Sequence, residues 1–512
     1  MATVAVPEYV TDRAGRRVVV EGVIPLGNND PLKLATLPTA IGMWAWIGPG
    51  LLWSALAQGS GELIWWPYLT AKYGTAFLGV MVWASMLQWW YNLEILRYEI
   101  MTGENAMTGF IRLGKWFALL VGAMIVFELM WFGGFTASSG NALATLTNFP
   151  AGWDVPGQTR FWTYVLIVIY VLVLVFGPVA YNWVERISMA VVVITVAGVL
   201  FACLQPQVYT TFGSFAGSLF NPFGSWPFTG MPGNWDAADA SILVTSIAYA
   251  GAGGWGQVFY TYWFRDKGAG FGQYAGRVTS PITGELETIP ATGFAFSDNE
   301  QNHKNFNGWM NLAASQNSIG IFFNTLTTGI MMWLAWAVLI PAGKQVSSTW
   351  QLAVVQADFF AIAWGDVGRS VFLFVAAMFL ADAWLQNIDG YSRMLSEMIY
   401  GVFPKQSRKW PLRNWYYLFL GWCTITSLIT VAITVPGMAI LIRGTASFFA
   451  MPIMGWAFIY LNFYLAPRAF PKWVKPNKFN YVLMWICTCA YSLLFIWYIV
   501  ASILPQFGIK LM

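Results

Sequence analysis

Residues 48–69 read GPGLLWSALAQGSGELIWWPYL, a stretch long and apolar enough to cross a bilayer. Its centre carries Gly59, Ser60, Gly61 and Glu62, which combine poor helix formers with an acid. In hydrocarbon, a helix break is tolerated only where the freed backbone groups face protein, water or a ligand. The stretch therefore predicts a broken membrane helix, with Glu62 as a candidate functional residue at the break. A compatible alternative is that Glu62 caps the second half-helix.

A second break is predicted in residues 246–268, SIAYAGAGGWGQVFYTYWFRDKG. Gly251, Gly253, Gly254 and Gly256 lie within six residues of one another and precede Gln257. Such a cluster does not sustain a regular helix. The alternative is close helix packing through small residues, which needs a spacing of about four residues that this cluster lacks.

The composition is that of a polytopic membrane protein. Of 512 residues, 57% are hydrophobic and 10% charged, whereas a soluble domain has about 25% charged residues. The net charge of +4 comes from basic residues spread along the chain, so we expect no nucleic-acid partner. The single histidine, His303, lies in a polar loop, which excludes a histidine-based relay in the membrane. We find no nucleophile–base pair, metal-ligand cluster or phosphate loop, and therefore do not expect an enzyme or a bound cofactor.

Eleven segments are apolar over about the 20 residues that a bilayer requires. They are 40–72, 75–101, 114–142, 161–183, 187–204, 239–263, 309–341, 369–399, 414–434, 437–465 and 480–504. The two breaks fall in the first and sixth segments, which is the pattern of an inverted-repeat transporter.

We expect an all-α polytopic fold in which five helices repeat with opposite orientation and one helix is added. The predicted parts are a cytoplasmic segment 1–39, repeat one 40–204, repeat two 239–465 and a last helix 480–504.

The distribution of Lys and Arg predicts the orientation. With the N-terminus inside, 21 of the 27 basic residues face the cytoplasm, Arg186 among them, and six, including Arg443, face outside. This places a multi-pass protein in the cell (inner) membrane with its C-terminus outside. The polar connection 264–308 is predicted to be a cytoplasmic lid that contains a small hairpin; the alternative is a flexible loop.

Several motifs resemble the Nramp divalent-metal transporters, and more closely their divergent bacterial branch. The resemblance extends from about Pro38 to Pro471. It is carried by GPGLL at 48–52, GSGELI at 59–64, EILRYEIMTGE at 94–104, YAGAGG at 249–254 with YWFRDKG at 262–268, NIDGYSRMLSE at 387–397 and PGMAILIRGTASFFAMPI at 436–453. It implies a five-plus-five inverted repeat of the LeuT type and the transport of a divalent cation.

The sequence departs from this family at the residues that bind the metal. The family's Asp-Pro-Gly-Asn falls on Gly59 to Glu62, so the liganding aspartate becomes glycine and the asparagine becomes Glu62. The family's Met-Pro-His falls on Gly254, Trp255 and Gly256, which removes the methionine and the histidine. A family glutamate is kept at Glu128. The acids linked in the family to proton transfer fall on Phe135 and Ser138.

The donors that remain are oxygens. A thioether favours softer metals, and its loss leaves a set that suits Mg²⁺ or Mn²⁺. Glycines in place of Met and His would give room, although Trp255 restores bulk. The candidate ligands are side chains and freed carbonyls at or near Glu62, Ser60, Gln257, Gly59, Leu56, Gly251 and Gly254.

Further intramembrane polar residues form a candidate proton or cation path. Glu128 is the second choice for a cation or proton site. Asp382, Gln386 and Asp389 share one helix face, which either lines a vestibule or joins helices through hydrogen bonds. Glu94 and Arg97, three apart, are predicted to form a structural pair.

We interpret the chain as a secondary transporter that moves a divalent cation, with membrane lipid and the cation as partners. One alternative keeps the fold but transports a small organic cation or amino acid in an aromatic pocket near Trp65, Trp66 and Trp255, with Glu62 pairing an amine. Another is a transporter-like subunit or sensor that transports nothing and binds a partner through 264–308. Coupling, direction of flux and oligomeric state stay open.

Overall fold

The computed structural model describes residues 8–42, 48–59, 61–343 and 357–509. Within these ranges eight helices are long and apolar enough to cross a membrane. They are Lys115–Thr147 (span 3), Val155–Phe176 (span 4), Ala180–Ala202 (span 5), Glu300–Leu339 (span 7), Gly365–Val402 (span 8), Leu412–Ile433 (span 9), Pro436–Arg468 (span 10) and Lys478–Phe507 (span 11).

Three further helical segments complete the eleven predicted spans, and two of them are broken as predicted. Span 1 consists of Pro49–Ala57 (span 1a), the π-helical turn Gly61–Trp65 and Trp66–Tyr73 (span 1b). Span 2 is Leu78–Thr102. Span 6 consists of Ala240–Ala248 (span 6a), the 3-10 turn Gly254–Val258 and Phe259–Lys267 (span 6b). Shorter helices at the membrane borders are Ala106–Leu113, Pro206–Tyr209, Phe212–Leu219 and Pro404–Ser407.

The packing of the spans repeats between the two halves of the chain. Span 1 packs on spans 5 and 7, and the corresponding span 6 packs on spans 10 and 2. Span 3 packs on spans 4 and 10, as span 8 packs on spans 9 and 5. Spans 3 and 8 also pack on each other. This exchange of partners is expected when two five-helix repeats are related by a pseudo-twofold axis.

Several helix boundaries differ from those predicted. Span 4 begins at Val155 because the Asp154 side chain accepts a hydrogen bond from Gly157 N at 2.9 Å and caps the helix. Span 7 begins at Glu300 because Asn299 caps it in the same way. Arg186 and Arg443, which were assigned to loops, lie inside spans 5 and 10. Arg443 is therefore no indicator of membrane orientation.

The hairpin predicted in the connection 264–308 is wrong. Two antiparallel strand pairs form in the N-terminal segment instead: β1 (Glu8–Thr11) with β2 (Arg17–Val20), and β3 (Gly22–Ile24) with β4 (Leu32–Leu34). The one strand of the connection, β5 (Phe294–Ala295), pairs in parallel with β4. The pairing is long-range, so local turn signals in the connection do not reveal it. The N-terminal segment and the connection thus form one layer.

Arg13 joins this layer to span 6b. Arg13 donates hydrogen bonds to the carbonyl oxygens of Arg265 (2.9 Å), Asp266 (2.6 Å) and Ala275 (3.0 Å). Arg265 and Asp266 lie in the last turn of span 6b, and the Arg265 carbonyl also accepts from Gly268 N at 2.9 Å. Arg13 therefore caps the C-terminus of span 6b with a positive charge.

The two breaks are in direct contact. A Cβ atom added at Gly61 would collide with Cβ of Tyr249, the residue that follows span 6a. A Cβ at Gly256 would meet Leu56 Cδ2 at 3.5 Å, an ordinary contact. At Gly61 the first break lies too close to Tyr249 to leave room for a Cβ atom. The contact between the two breaks therefore depends on glycine at this position.

We predict that Gly61→Ala lowers the free energy of unfolding by about 1–3 kcal/mol through overpacking. Gly59→Ala is the matched control, because a Cβ there has its nearest neighbours at 3.5 Å or beyond. The measurement is the thermal unfolding midpoint of purified protein in detergent. Equal midpoints for the two variants would contradict the close contact at Gly61.

Candidate functional site at the two helix breaks

The first break brings the Glu62 carboxylate back over the bend that precedes it. Span 1a ends at Ala57, and Glu62 Oε2 accepts a hydrogen bond from Gly59 N at 3.0 Å. Glu62 is fully buried, and its other oxygen, Oε1, has no hydrogen-bond donor among the described residues. One oxygen therefore holds the break, in the manner of a capping residue. Ser60, the neighbouring predicted ligand, lies outside the described residues.

The second break is held open by side chains from spans 2 and 7. Gly253 and Gly254 adopt φ of 71° and 50°, a region that favours glycine. The freed Ala250 carbonyl accepts from Ser85 Oγ at 2.8 Å and from Asn324 Nδ2 at 3.0 Å. Gln88 Nε2 donates to the Ala248 carbonyl at 3.2 Å. These bonds satisfy backbone groups that hydrocarbon would leave unpaired.

The residues predicted to bind a substrate at the second break each contact a different neighbour. Gly251 lies against the Gln88 amide and Gly254 against Ser447 of span 10. The Trp255 ring packs on Phe110 at a centroid distance of 5.8 Å.

The carboxamide of Gln257 is occupied on both sides. Its Oε1 accepts from Trp53 Nε1 at 3.1 Å, and its Nε2 donates to Gln88 Oε1. In this conformation the predicted ligand oxygen of Gln257 accepts a hydrogen bond from the Trp53 indole. The role of Gln257 in cation binding stays a prediction.

Glu128 has a partner that the sequence did not reveal. Arg443 of span 10 is buried, and its Nε lies 3.9 Å from Glu128 Oε2. The same carboxylate oxygen accepts from Tyr391 OH at 2.6 Å and from Ser447 Oγ at 3.1 Å. Arg443 also donates to Tyr249 OH at 2.8 Å. This cation joins spans 3, 6 and 10 next to the breaks.

The other candidate path residues take part in helix packing. Asp382 accepts from Ser188 Oγ and Gln386 Nε2, both at 2.8 Å. Asp389 accepts from Arg393 Nε at 2.9 Å and from Tyr416 OH at 2.6 Å. The bonds from Ser188 and Tyr416 are interhelical, as the second alternative expects, whereas those from Gln386 and Arg393 lie within span 8. A role of these residues in a path stays a prediction. The predicted pair of Glu94 and Arg97 is confirmed, with an N–O distance of 3.0 Å.

The atoms around the breaks that could bind a cation are oxygens. Among the described residues, no group of three His, Cys, Asp or Glu side chains is placed to hold a metal. A cation at the breaks would therefore need neutral oxygens beside Glu62. Sequence reasoning overlooked Asn324 and Thr328, polar residues one turn apart in span 7, although polar residues in a membrane span are themselves a signal.

Solved structures of transporters are similar to the whole chain. The manganese transporter of Eremococcus coleocola, in complex with an aromatic bis-isothiourea substituted compound, superposes with a TM-score of 0.63 at 14% identity, covering 94% of this chain and 92% of that chain. MhsT in complex with L-phenylalanine gives a TM-score of 0.53 at 16% identity, covering 87% and 97%. No family model matches the sequence, and no curated protein matches it significantly. At these identities the likeness concerns the fold, and the predicted LeuT-type inverted repeat is confirmed.

We predict that Arg443→Met destabilises the protein by about 3 kcal/mol, because it leaves the buried Glu128 carboxylate without its counter-charge. Adding Glu128→Gln should recover part of the loss, since the double variant carries no buried unpaired charge. Thermal unfolding in detergent, with both single variants and the double variant, gives the coupling. Purely additive losses would show that the two groups do not interact.

Proposed function

We propose that the protein is a secondary transporter that moves a divalent cation across the membrane by alternating access, with Glu62 at the first break as its charged ligand. The observation that carries the proposal is the state of Glu62. It is a buried carboxylate beside broken backbone with one oxygen unpaired, and within the described part of the chain it forms no ion pair. The buried acids Glu94, Glu128 and Asp389 each have an arginine as ion-pair partner, whereas Glu99 and Asp382 resemble Glu62 in having no ion pair within the described ranges.

The chemistry around Glu62 favours a hard cation. The atoms at the two breaks are carboxylate, amide, hydroxyl and carbonyl oxygens, without a thioether or imidazole where the resembled family has them. Spans 1a and 6a both end at the breaks, and the C-terminal ends of helices carry partial negative charge. Mg²⁺ and Mn²⁺ accept such oxygens, and Mg²⁺ usually keeps several waters. We therefore favour Mg²⁺ or Mn²⁺ over softer metals.

The comparisons support this choice at the level of the fold. One similar structure is that of a manganese transporter, and the motifs of this chain resemble the Nramp family. In our proposal the site lies at the same two helix breaks as in the Nramp family, but its ligands differ. Glu62 lies one helical turn after Gly59, where the family has its aspartate. The basic residues further support a cell (inner) membrane location with the N-terminus in the cytoplasm.

A second candidate, transport of a small organic cation, is favoured by one cavity. It is an open cleft of about 590 Å³ between spans 3, 6, 10 and 11 and has Glu128 in its wall. Its volume is in the range of small-molecule sites. Arg443 beside Glu128 opposes a cationic ligand there, so we rank this candidate second. Competition by organic amines, without competition by divalent metals, would favour it.

We predict that Glu62→Gln abolishes saturable binding and transport of Mn²⁺ and Mg²⁺ while the protein still folds. The substitution keeps the size of the side chain but removes the charge that balances the cation. The measurements are isothermal titration of purified protein and ion flux into liposomes. Glu285→Gln, at an exposed position of the connection, is the matched control and should behave as the unsubstituted protein.

Retained Mn²⁺ flux in the Glu62→Gln variant, with an unchanged apparent affinity, would remove Glu62 from the site. A folded, monodisperse unsubstituted protein that neither binds nor transports any divalent ion would contradict the proposal and favour the organic-cation candidate.

A further inference from the structure

Within the described ranges, three buried side-chain carboxylate and carboxamide oxygens of spans 1 and 7 lack hydrogen-bond donors. They are Glu62 Oε1, Gln58 Oε1 and Asn324 Oδ1, and each belongs to a fully buried residue. Buried polar atoms in proteins nearly always have a partner, so an unpaired group calls for an explanation. Three unpaired acceptors where span 1 meets span 7 indicate a ligand that accepts electron pairs.

The orientation of Asn324 is determined by its neighbour. Its Nδ2 donates to the Ala250 carbonyl at 3.0 Å. If the amide were rotated, Oδ1 would face this carbonyl oxygen and two acceptors would oppose each other. The hydrogen-bond network therefore assigns Nδ2 to span 6 and leaves Oδ1 without a donor.

Gln58 is oriented in the same way by span 7. Its Nε2 donates to Thr327 Oγ1 at 2.8 Å and lies 3.3 Å from the Phe323 carbonyl oxygen. Thr327 Oγ1 in turn donates to that carbonyl at 2.8 Å. Both nearby oxygens of span 7 thus require the amide nitrogen of Gln58. Its Oε1 is left on the other side of the carboxamide.

Thr328 brings a fourth oxygen to this junction. Its hydroxyl lies within hydrogen-bonding reach of the Glu62 carboxylate. A hydroxyl has one proton, and Thr328 Oγ1 donates it to the Asn324 carbonyl at 2.8 Å. The hydroxyl therefore lies beside two acceptors, the Asn324 carbonyl and the Glu62 carboxylate, and can donate to only one of them at a time. A lone pair of Oγ1 remains for a cation held by the carboxylate.

We infer that span 7 completes the cation site: Asn324 Oδ1 and Thr328 Oγ1, together with Gln58 Oε1, join Glu62 Oε1 as ligands of the transported cation. The inference rests on the proposed function and names ligands beyond those at the two breaks. The set has one charged and three neutral oxygens. This composition suits a hard divalent ion that keeps part of its water, because four protein oxygens leave coordination positions free.

The first test uses Mn²⁺ as the probe and Thr328→Val, which keeps the shape of the side chain and removes the oxygen. We expect the dissociation constant for Mn²⁺ to rise about tenfold, the effect of one neutral contact worth about 1.4 kcal/mol. Thr328→Ser restores the oxygen and should bind as the unsubstituted protein. Thr325→Val, on the same helix at a half-buried position outside the proposed ligand set, is the matched control and should leave binding unchanged.

The second test is Asn324→Asp, which replaces a neutral ligand by a charged one and removes the hydrogen bond from Nδ2 to the Ala250 carbonyl. Because the lost bond affects every ion, the readout is the ratio of the dissociation constants for Na⁺ and Mn²⁺, which should rise since the added charge acts most strongly on a divalent ion. The spectrum of bound Mn²⁺ in electron paramagnetic resonance should also change with Thr328→Val. A role of Thr328 in packing alone would not alter that spectrum.

The outcomes separate the two proposals. Unchanged Mn²⁺ affinity and spectrum in Thr328→Val and an unchanged ratio of dissociation constants in Asn324→Asp, with binding lost in Glu62→Gln, would overturn the span 7 ligands and leave the proposed function in place. Unchanged binding in Glu62→Gln would overturn the function itself. Weakened binding in Thr325→Val to the same extent as in Thr328→Val would assign the effect to helix packing and reject the inference.

Discussion

The structure depends on the need to satisfy backbone polar groups in a medium without water. Two helices of this protein break at membrane depth, and the carbonyls freed at the second break are held by Ser85, Gln88 and Asn324. Without these side chains each freed group would cost several kcal/mol. The positions of spans 2 and 7, which carry the three residues, are therefore tied to the break in span 6. The broken helices and their unbroken neighbours form one structural unit.

Several buried acids of the spans are also stabilised by partners within the protein. Glu94 pairs with Arg97, Glu128 lies beside Arg443 and Asp389 pairs with Arg393. Pairing makes these acids tolerable in a low-dielectric environment, and it also makes them poor sites for a solute that must bind and leave. Glu62 differs from these three acids because it has no ion pair in the described part of the chain, and its bond from Gly59 N is to a neutral group. An acid in this condition is stabilised either by a bound cation or by taking up a proton.

Local features were predictable from the sequence and distant ones were not. Glycine clusters reveal both breaks because glycine weakens a helix wherever it lies, and Glu94 with Arg97 is readable because three residues place both on one helix face. The proximity of Arg443 to Glu128, and of Thr328 to Glu62, depends on how spans pack, which no periodicity encodes. The pairing of β5 with the N-terminal β4 could not be predicted for the same reason, because the turns near β5 do not indicate a partner so far away in the sequence.

The cap that Arg13 places on span 6b has a mechanical consequence. Three hydrogen bonds bind the guanidinium to the end of that half-helix and to the connection behind it, while β4 holds the connection through β5. Were span 6b to move relative to its neighbours, the strands β1 to β4 would either move with it or lose the hydrogen bonds of Arg13. In either case the free energy of the movement would include contacts made by the segment that precedes span 1.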